Sequence, residues 1–262
     1  MSAIPAPSGY VAGISWPRSG HHLMVRLLQA YFGPSFGYCE FHQPTDCCKE
    51  FPCARQDRIH LSKNHDFGQK TPQLPGIRHV IQWRDFIPSV VSSYELSPDR
   101  KTDDSAETFA TYASQRWGPY SLFRAKWITS DFAQKHVQLR YEDLAADPVA
   151  AMEPVVALFS AGAPYDRDRM AAIAAEAAGI SKLKGDTAHA ADPGVRNRRR
   201  VEDFRWYDPE LFDLLGALVL ERRHVIHRWR KLRGPDEPDA RTILRLQTLP
   251  DLAAVEAALK CD

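Results

Sequence analysis

Long apolar runs are missing from this chain of 262 residues. The longest, LLGALVL from Leu214 to Leu220, falls well short of the ~18 residues that a membrane-spanning helix needs. The first ten residues, MSAIPAPSGY, also lack the basic stretch and apolar stretch that together form a secretory signal. We therefore expect a protein without a transmembrane segment and with a cytoplasmic location.

A surplus of charge of either sign is missing as well. The chain carries 34 lysines and arginines against 33 aspartates and glutamates, a formal net charge of +1. A near-neutral protein is a poor general binder of polyanions, so no nucleic-acid partner is expected. Any cationic binding site must therefore be local.

The cysteines form no recognisable framework. There are five, an odd number that fits a reducing compartment. Four of them, Cys39, Cys47, Cys48 and Cys53, crowd one segment without the paired C-x₂-C spacing of zinc sites. We expect reduced thiols in an irregular loop and no bound metal.

The stretch VAGISWPRSGHHLMVRLL, residues 11–28, predicts a strand, a loop and an amphipathic helix. Pro17 fixes the chain as it leaves the strand, Gly20 permits close backbone approach, and Ser19 is expected to cap the helix. Backbone N–H groups from Arg18 to His22 would then point at a bound oxyanion, aided by the helix dipole. The stretch therefore predicts an anion site.

The side chains of this loop restrict the chemistry. Arg18 supplies a planar cation that does not deprotonate. His21 and His22 stand where a nucleotide-hydrolysing loop has lysine followed by serine or threonine. Because no hydroxyl is placed to bind Mg²⁺, ordinary triphosphate hydrolysis is disfavoured.

Further periodicity predicts the fold class. The apolar runs HVIQWRD (79–85) and HVQLRYEDL (136–144) predict buried strands, and apolar residues recur at helical spacing at 23–31 and 109–117. Alternating strands and helices predict an α/β protein with a central parallel sheet flanked by helices, and with ligands at the carboxyl ends of the strands. One domain is expected over 1–262.

A late helix is the best delimited element. Asp208 is a plausible N-cap, followed by proline at the first helical position. An apolar stripe begins at Leu211, basic residues gather towards Arg233, and Gly234 with the following proline ends the pattern. We therefore predict a single helix from Asp208 to Gly234.

Three other segments carry cations suited to a multiply charged ligand. Arg84 stands at the end of a predicted strand and Ser92 follows eight residues later in the next helix. Lys63 and His65 lie two apart in an extended stretch, so they are predicted to face one side. A basic run before the late helix contains Arg196, Arg198, Arg199 and Arg200.

Taken in order, these segments resemble the sulfotransferases that use 3′-phosphoadenosine 5′-phosphosulfate (PAPS). Pro17-Arg18-Ser19-Gly20 resembles their 5′-phosphosulfate loop, and Lys63-Asn64-His65 resembles the segment that carries their catalytic histidine. Arg84 and Ser92 match the separation in their 3′-phosphate signature. The resemblance spans roughly residues 8–234, which leaves 235–262 as a C-terminal extension.

Two later segments extend the resemblance. Arg140-Tyr141-Glu142-Asp143-Leu144, followed by Asp147-Pro148, is similar to the family's strand-end motif, and Glu202-Asp203-Phe204-Arg205 resembles a late segment beside its basic run. The departures are Leu23 in place of an adenine-stacking tryptophan, His21 and His22 in place of threonines, Phe86 in place of a proline, and Glu202 in place of a glycine.

The resemblance implies a three-layer P-loop-like fold, PAPS as donor substrate, no metal and a hydroxyl acceptor. Arg18 is expected at the 5′-phosphate and the bridging oxygen, Lys63 at the sulfuryl oxygens, and His65 as the general base, with His60 as a substitute. The other expected donor contacts are Pro17, Ser19, Gly20, His21 and His22 in the loop, Arg84, Ser92, Arg198 and Arg199 at the 3′-phosphate, and Tyr141 at the adenine edge.

Two alternatives stay open at this stage. One is a non-catalytic module that binds adenosine bisphosphate, and the other is a P-loop-type kinase of small molecules. The acceptor is also open: a glycan or a lipid- or peptide-linked hydroxyl is slightly favoured over a small phenol by Arg18, which is typical of the carbohydrate-modifying branch. An amine acceptor is less favoured than a hydroxyl. Oligomeric state, a homo-oligomer included, is not predicted.

Overall fold

A computed structural model describes residues 6–41, 47–179 and 200–261. The strands are β1 (Val11–Ser15), β2 (Tyr38–Cys39), β3 (Leu61–Asn64), β4 (Arg78–Trp83) and β5 (Val137–Arg140). The helices are α1 (His21–Phe32), α2 (Phe86–Tyr94), α3 (Pro98–Thr102), α4 (Ala106–Trp127), α5 (Tyr141–Ala146), α6 (Pro148–Ala157), α7 (Arg167–Gly179), α8 (Pro209–Gly216), α9 (Arg222–Arg233), α10 (Ala240–Gln247) and α11 (Leu252–Cys261).

The described chain groups into two compact units. The first contains the described residues up to Arg84 and those from Phe123 to 179, and the second contains Asp85–Leu122 and the residues from Arg200 onward. The expectation of a single domain stays a prediction. No helix among the described residues has both the length and the hydropathy required to cross a membrane.

The first unit is built on a parallel sheet with the order β2-β3-β1-β4-β5. All five residues of β1 are buried, as the uninterrupted run Val11–Ser15 requires at the centre of the sheet. The register aligns Gly13 with Lys63 on one side and Ser15 with Gln82 on the other. The predicted α/β class with a central parallel sheet and flanking helices is therefore confirmed.

Alternate strand residues pack against helices on opposite faces of this sheet. Val80 joins the core formed with α1, α6 and α7, which includes Leu27 and Met152. Its neighbour His79 points to the other face, where its ring lies 5.9 Å from that of Trp127 at the end of α4. The sheet is thus the middle layer of three.

The strand predicted over residues 136–144 is correct only in its first half. β5 ends at Arg140, and the rest of the run HVQLRYEDL, from Tyr141, forms helix α5. β5 is also an edge strand, and only Leu139 of its four residues is buried. An edge strand has one neighbour, so its pattern does not require burial of every residue.

The second unit is helical. Its aromatic cluster joins Tyr94, Phe109 and Phe204, with the rings of Phe109 and Phe204 4.6 Å apart. A separate small core is formed by α9, α10 and α11 around residues such as Val225 and Ile243. These contacts hold the C-terminal helices to one another.

The single late helix predicted from Asp208 to Gly234 is wrong, because the chain forms α8 and α9 with a break at 217–221. The start is as predicted: the Asp208 carboxylate accepts hydrogen bonds from the N–H groups of Glu210 and Leu211. At the break, the N–H groups of Val219 and Leu220 donate to the carbonyl of Gln247 instead of continuing the helix. A long-range contact therefore overrides the local helical pattern.

Candidate active site

The candidate site lies at the carboxyl edge of the sheet, where all five parallel strands end. The residues that follow the strands are the loop 16–20 after β1, Glu40 after β2, His65 after β3, Arg84 after β4 and Tyr141 after β5. Residues that follow every strand meet at this edge. In such folds a ligand usually binds at the carboxyl ends of the strands. All of them belong to the first unit.

The loop after β1 is anchored to the neighbouring strand. The N–H of Trp16 donates to the carbonyl of Gln82 at 2.8 Å. The buried hydroxyl of Ser19 donates to the carbonyl of Trp16 at 2.6 Å and lies 3.3 Å from that of Gln82. The expectation that Ser19 caps α1 is therefore wrong, because this hydroxyl closes the loop on itself. The loop geometry is held by its own hydrogen bonds.

Gly20 is the N-cap of α1 and has a left-handed backbone with φ of 79°. A Cβ at this position would lie 2.4 Å from Cδ2 of Tyr141, so the loop backbone touches the tyrosine ring directly. Only glycine satisfies both the positive φ and this close approach. Pro17 precedes, and the exposed Arg18 also has a positive φ of 65°.

Tyr141 lies between this loop and Arg84. The guanidinium carbon of Arg84 is 4.3 Å from the centroid of the Tyr141 ring, which is the geometry of a cation–π contact. Nε of Arg84 also lies 3.6 Å from a carboxylate oxygen of Glu142, whose other oxygen is 3.3 Å from Nε of Arg140. Arg84 is therefore a buried, oriented cation that faces the tyrosine.

The two arginines of the candidate anion site influence each other. Burial lowers the pKa of Arg84, the charges of Tyr141 and Glu142 oppose that shift, and the charge of Arg18 adds to it. Like charges disfavour each other's ionised form at short range. Arg18 and Arg84 are thus brought to one region of the sheet edge, although they are 66 residues apart in sequence. An anion would relieve their repulsion.

His65 is held in one tautomer by β1. Its Nδ1 lies 2.7 Å from the carbonyl oxygen of Ser15 and 3.1 Å from the hydroxyl of the same residue. A carbonyl oxygen only accepts, so Nδ1 carries a proton, and in the neutral ring Nε2 keeps the lone pair. That is the form in which a histidine can take a proton from another group.

Lys63 is buried and pairs with a residue that the sequence analysis did not single out. Its Nζ lies 2.5 Å from Oε1 of Glu40, and the lysine side chain is only 8% exposed. Oε2 of the same carboxylate accepts a short hydrogen bond from the hydroxyl of Tyr38. Nε2 of His22 lies 3.7 Å from Oε1. Glu40 therefore joins three site side chains.

Hydrogen bonds determine the charge state of Glu40. Burial alone would raise its pKa, but the hydrogen bonds from Lys63 and Tyr38 lower it below the ordinary value of a glutamate. The carboxylate is therefore ionised at neutral pH. Its negative charge offsets the ammonium of Lys63 within the sheet edge.

His21, the first residue of α1, belongs to the same network. Its Nε2 lies 3.1 Å from the hydroxyl of Tyr38, which donates its own proton to Glu40, so Nε2 must be the donor. Desolvation, reinforced by the charges of Lys63, His65 and His22, lowers its pKa well below the ordinary value. His21 is a buried neutral imidazole. Among the described residues its Nδ1 has no hydrogen-bond partner.

Other predicted residues lie outside this network. Ser92 is buried on α2 in the second unit, and its proposed role stays a prediction. Arg198 and Arg199 lie outside the described residues. His60 precedes β3 at the end opposite Lys63, its Nδ1 accepts from the N–H of Gly37 at 2.9 Å, and burial lowers its pKa. His60 therefore makes a structural hydrogen bond and does not lie with His65 at the carboxyl edge of the sheet.

Tyr38 and Glu40 are the functional candidates that sequence reasoning missed. The strand before Glu40 has only two residues, Tyr38 and Cys39, which is too short for a periodic pattern. The sequence carries only a faint signal, namely that Glu40 is its first acidic residue. Among the described residues, no three histidine, cysteine or acidic side chains are grouped to hold a metal ion.

Comparison with known proteins supports the fold. No family model and no curated protein matches the sequence. Among solved structures, this chain resembles the mouse sulfotransferase SULT7A1 in its complex with PAP, with a TM-score of 0.54 and 15% identity. The likeness covers 90% of this chain and 88% of the mouse chain. At this identity it establishes a sulfotransferase-like α/β fold.

Proposed function

We propose that this protein transfers a sulfuryl group from PAPS to a hydroxyl acceptor. The observation that carries the proposal is the meeting of three features at one sheet edge: Arg18, the Arg84–Tyr141 pair, and His65, whose Nδ1 donates to Ser15. The sulfotransferase-like fold and the PAP bound by its structural neighbour support the same reading.

The proposed site would bind the donor at two places, the 5′-phosphosulfate and the 3′-phosphate. In this proposal the loop backbone from Pro17 to His22 and the guanidinium of Arg18 take the 5′-phosphosulfate, aided by the N-terminal dipole of α1. Arg84 takes the 3′-phosphate, and the Tyr141 ring against it lies beside the nucleoside. The bidentate fork of arginine suits both phosphates. Fixed cations thus replace a metal in neutralising the donor.

The transfer step is an in-line displacement at sulfur. The acceptor oxygen forms a bond to sulfur while the bond from sulfur to the 5′-phosphate oxygen breaks, and that oxygen keeps the electron pair. Nε2 of His65 takes the proton of the acceptor hydroxyl. Arg18 stabilises the charge that grows on the leaving oxygen, and Lys63 stabilises the sulfuryl oxygens. The products are a sulfate ester and adenosine 3′,5′-bisphosphate (PAP).

A binding module without activity is the second candidate. It requires the arginine cradle alone and gives no reason for a histidine to be held in the proton-accepting tautomer. The contact between His65 and Ser15 therefore favours the transferase. A small-molecule kinase would need a lysine and a hydroxyl residue after the loop glycine, where this chain has His21 and His22.

The experiment is transfer of ³⁵S from labelled PAPS into four acceptor pools: soluble glycans, glycolipids, tyrosine-containing peptides and simple phenols. We expect label in at least one pool, and His65→Ala should lower the rate at least about a hundredfold. PAP affinity, measured by calorimetry, should change less than about twofold in that variant. His224→Ala, on the exposed face of α9, is the matched control.

Two results would contradict this proposal. If the wild-type protein binds PAP but labels none of the pools, the binding module is the better description. If His65→Ala transfers label at the wild-type rate, the base lies elsewhere and the role given to His65 is wrong.

A further inference from the structure

We infer that Glu40 is a positioning residue for sulfuryl transfer, an inference that rests on the proposed function. It acts through Lys63, whose ammonium it holds at 2.5 Å. Three features support the role: the carboxylate is half-buried, it is ionised, and its second oxygen is fixed by Tyr38. A side chain with both oxygens engaged defines one position for its cationic partner.

The charges explain why such a residue is required. Lys63, His22 and His65 all lie close enough to His21 for their charges to lower its pKa. Lysine is a flexible side chain, and without a fixed anion its ammonium would adopt several positions. Glu40 draws the ammonium towards the ends of β2 and β3, next to the loop that is proposed to hold the phosphosulfate. Orientation of this kind assists catalysis without contact with substrate.

The same carboxylate also opposes the donor. PAPS is an anion, and Glu40 adds a negative charge to the site that must receive it. Removal of the Glu40 charge should therefore change donor affinity and turnover in opposite directions. Donor binding should tighten because a repulsive charge is gone, while turnover should fall because Lys63 loses its fixed position. A merely structural residue would weaken binding and turnover together.

The test compares Glu40→Gln with Glu50→Gln, a change at an exposed glutamate of the neighbouring segment. Glutamine keeps the shape and one acceptor oxygen but loses the charge. In Glu40→Gln we expect kcat to fall at least about tenfold and the KM for PAPS to fall several-fold. Glu40→Asp, which restores the charge, should recover part of kcat and return KM towards the wild-type value. Glu50→Gln should match the wild type.

Failure of this inference is distinguishable from failure of the proposed function. If the wild-type protein transfers sulfuryl groups and Glu40→Gln retains its kcat, or loses kcat with a raised KM, Glu40 does not position Lys63. If the wild-type protein neither binds PAP nor transfers the label, the proposed function itself fails. Thermal midpoints of all three variants, measured without ligand, identify any that are destabilised.

A second inference rests on different residues and does not require the proposed function. The geometry assigns Cys48 and Cys53 as a dithiol site that small disulfides, such as oxidised glutathione, convert to an intramolecular disulfide. Their sulfur atoms lie 3.6 Å apart, in contact but not bonded. The sulfur of Cys48 accepts from the N–H of Ala54 at 3.4 Å, which stabilises a thiolate.

The two cysteines differ as an attacking and a resolving thiol should. Backbone hydrogen bonds at Glu50 and Ala54 lower the pKa of Cys48, whereas burial raises that of Cys53. Cys48 is partly exposed, and Cys53 packs with Tyr10 against the sheet. A second close pair, Cys39 and Cys47, has sulfur atoms 3.5 Å apart. Cys39 lies in β2, not in the irregular loop expected from the sequence.

The exchange is balanced with glutathione disulfide as the oxidant. The Cys48 thiolate attacks one sulfur of the oxidant, forms a mixed disulfide and releases a glutathione thiolate. The Cys53 thiol loses its proton and attacks the sulfur of Cys48, which releases the second glutathione. The two cysteines are oxidised, and one glutathione disulfide is reduced to two thiols.

Digestion with trypsin allows the disulfide between Cys48 and Cys53 to be detected by mass spectrometry. Cleavage after Arg26, Lys49 and Arg55 places Cys39, Cys47 and Cys48 in peptide 27–49 and Cys53 in peptide 50–55. After incubation with oxidised glutathione and alkylation of the remaining thiols, we expect these two peptides to be joined through Cys48 and Cys53. Dithiothreitol should separate them.

Three variants distinguish the outcomes. Cys48→Ser and Cys53→Ser should each abolish the joined peptides, and Cys39→Ser should retain them. In Cys53→Ser the mixed disulfide with glutathione should accumulate on Cys48. The assignment is wrong if the wild-type peptides stay separate, or if they remain joined in Cys48→Ser.

Discussion

A Cβ atom built on Gly20 would lie 2.4 Å from Cδ2 of Tyr141. The loop after β1 and the helix that follows β5 therefore meet at this contact, with Arg84 on the ring of the same tyrosine. The contact makes the anion loop dependent on a residue 121 positions away. Replacement of Gly20 by a larger residue would therefore have two effects: backbone strain at the positive φ, and a collision with the Tyr141 ring.

Gly20→Ala should lose both stability and PAP binding. Alanine at φ of 79° costs about 1–2 kcal/mol in backbone strain, and the collision with Tyr141 displaces either the loop or the ring. Gly162→Ala is the matched control, since φ at Gly162 is 84° but nothing lies within 4 Å of its added Cβ. Chemical denaturation and calorimetry with PAP measure the two effects.

We expect similar strain in both glycine variants and a weakened PAP affinity only in Gly20→Ala. Retention of wild-type PAP affinity in Gly20→Ala would show that the loop does not require its contact with Tyr141. An equal loss of affinity in both variants would point to a general loss of fold instead of a local effect.

Arg84→Lys should reduce the preference for a 3′-phosphate. Lysine keeps the positive charge beside Glu142, so the carboxylate is not left without a cation. It loses the planar fork and the stacking on Tyr141. We expect PAP affinity to fall about tenfold or more while AMP affinity changes little, as measured by calorimetry. An equal change for both nucleotides would place Arg84 away from the 3′-phosphate.

The elements predicted from sequence are those with local signals. β1 and α1 follow from an apolar run, a glycine and a helical stripe, and β4 and α2 follow in the same way. These signals lie within about ten residues of one another, so the fold class could be predicted. The candidates Arg18 and Arg84 come from these segments, whereas Lys63 and His65 come from a separate extended stretch.

What could not be predicted depends on contacts between distant segments. The break between α8 and α9 is stabilised by Gln247, and Lys63 pairs with Glu40, which follows a two-residue strand. The hydroxyl of Ser19 donates to the carbonyl of Trp16 and does not cap α1. Such pairings are specified by tertiary packing and have no periodic pattern in the sequence.

Folding stability should fall as the pH drops below the ordinary pKa of histidine. His79 is fully buried; desolvation, with a contribution from His136, lowers its pKa to about 4. The folded protein therefore resists a proton that the unfolded chain accepts at about pH 6.5. The unfolded state binds more protons between these values, so stability is full above about pH 6.5 and declines towards pH 4.

This histidine alone should contribute about 3 kcal/mol to that decline. Urea denaturation at pH 8.0, 6.0 and 4.5 gives the free energy of unfolding for the wild type and for His79→Phe. In the variant, the free energy of unfolding should depend less steeply on pH below pH 6.5. Its free energy of unfolding at pH 8, compared with that of the wild type, measures the effect of the substitution on packing. A slope identical to that of the wild type would mean that His79 is protonated in the folded protein.

The most direct test of the central claim is calorimetric titration of the wild-type protein with PAP and with AMP. If Arg18 and Arg84 hold opposite ends of one donor, PAP should bind at least about tenfold more tightly than AMP, equivalent to 1.4 kcal/mol or more. The difference should shrink in Arg84→Lys. Equal affinities for the two nucleotides, or no measurable binding of PAP, would contradict the account.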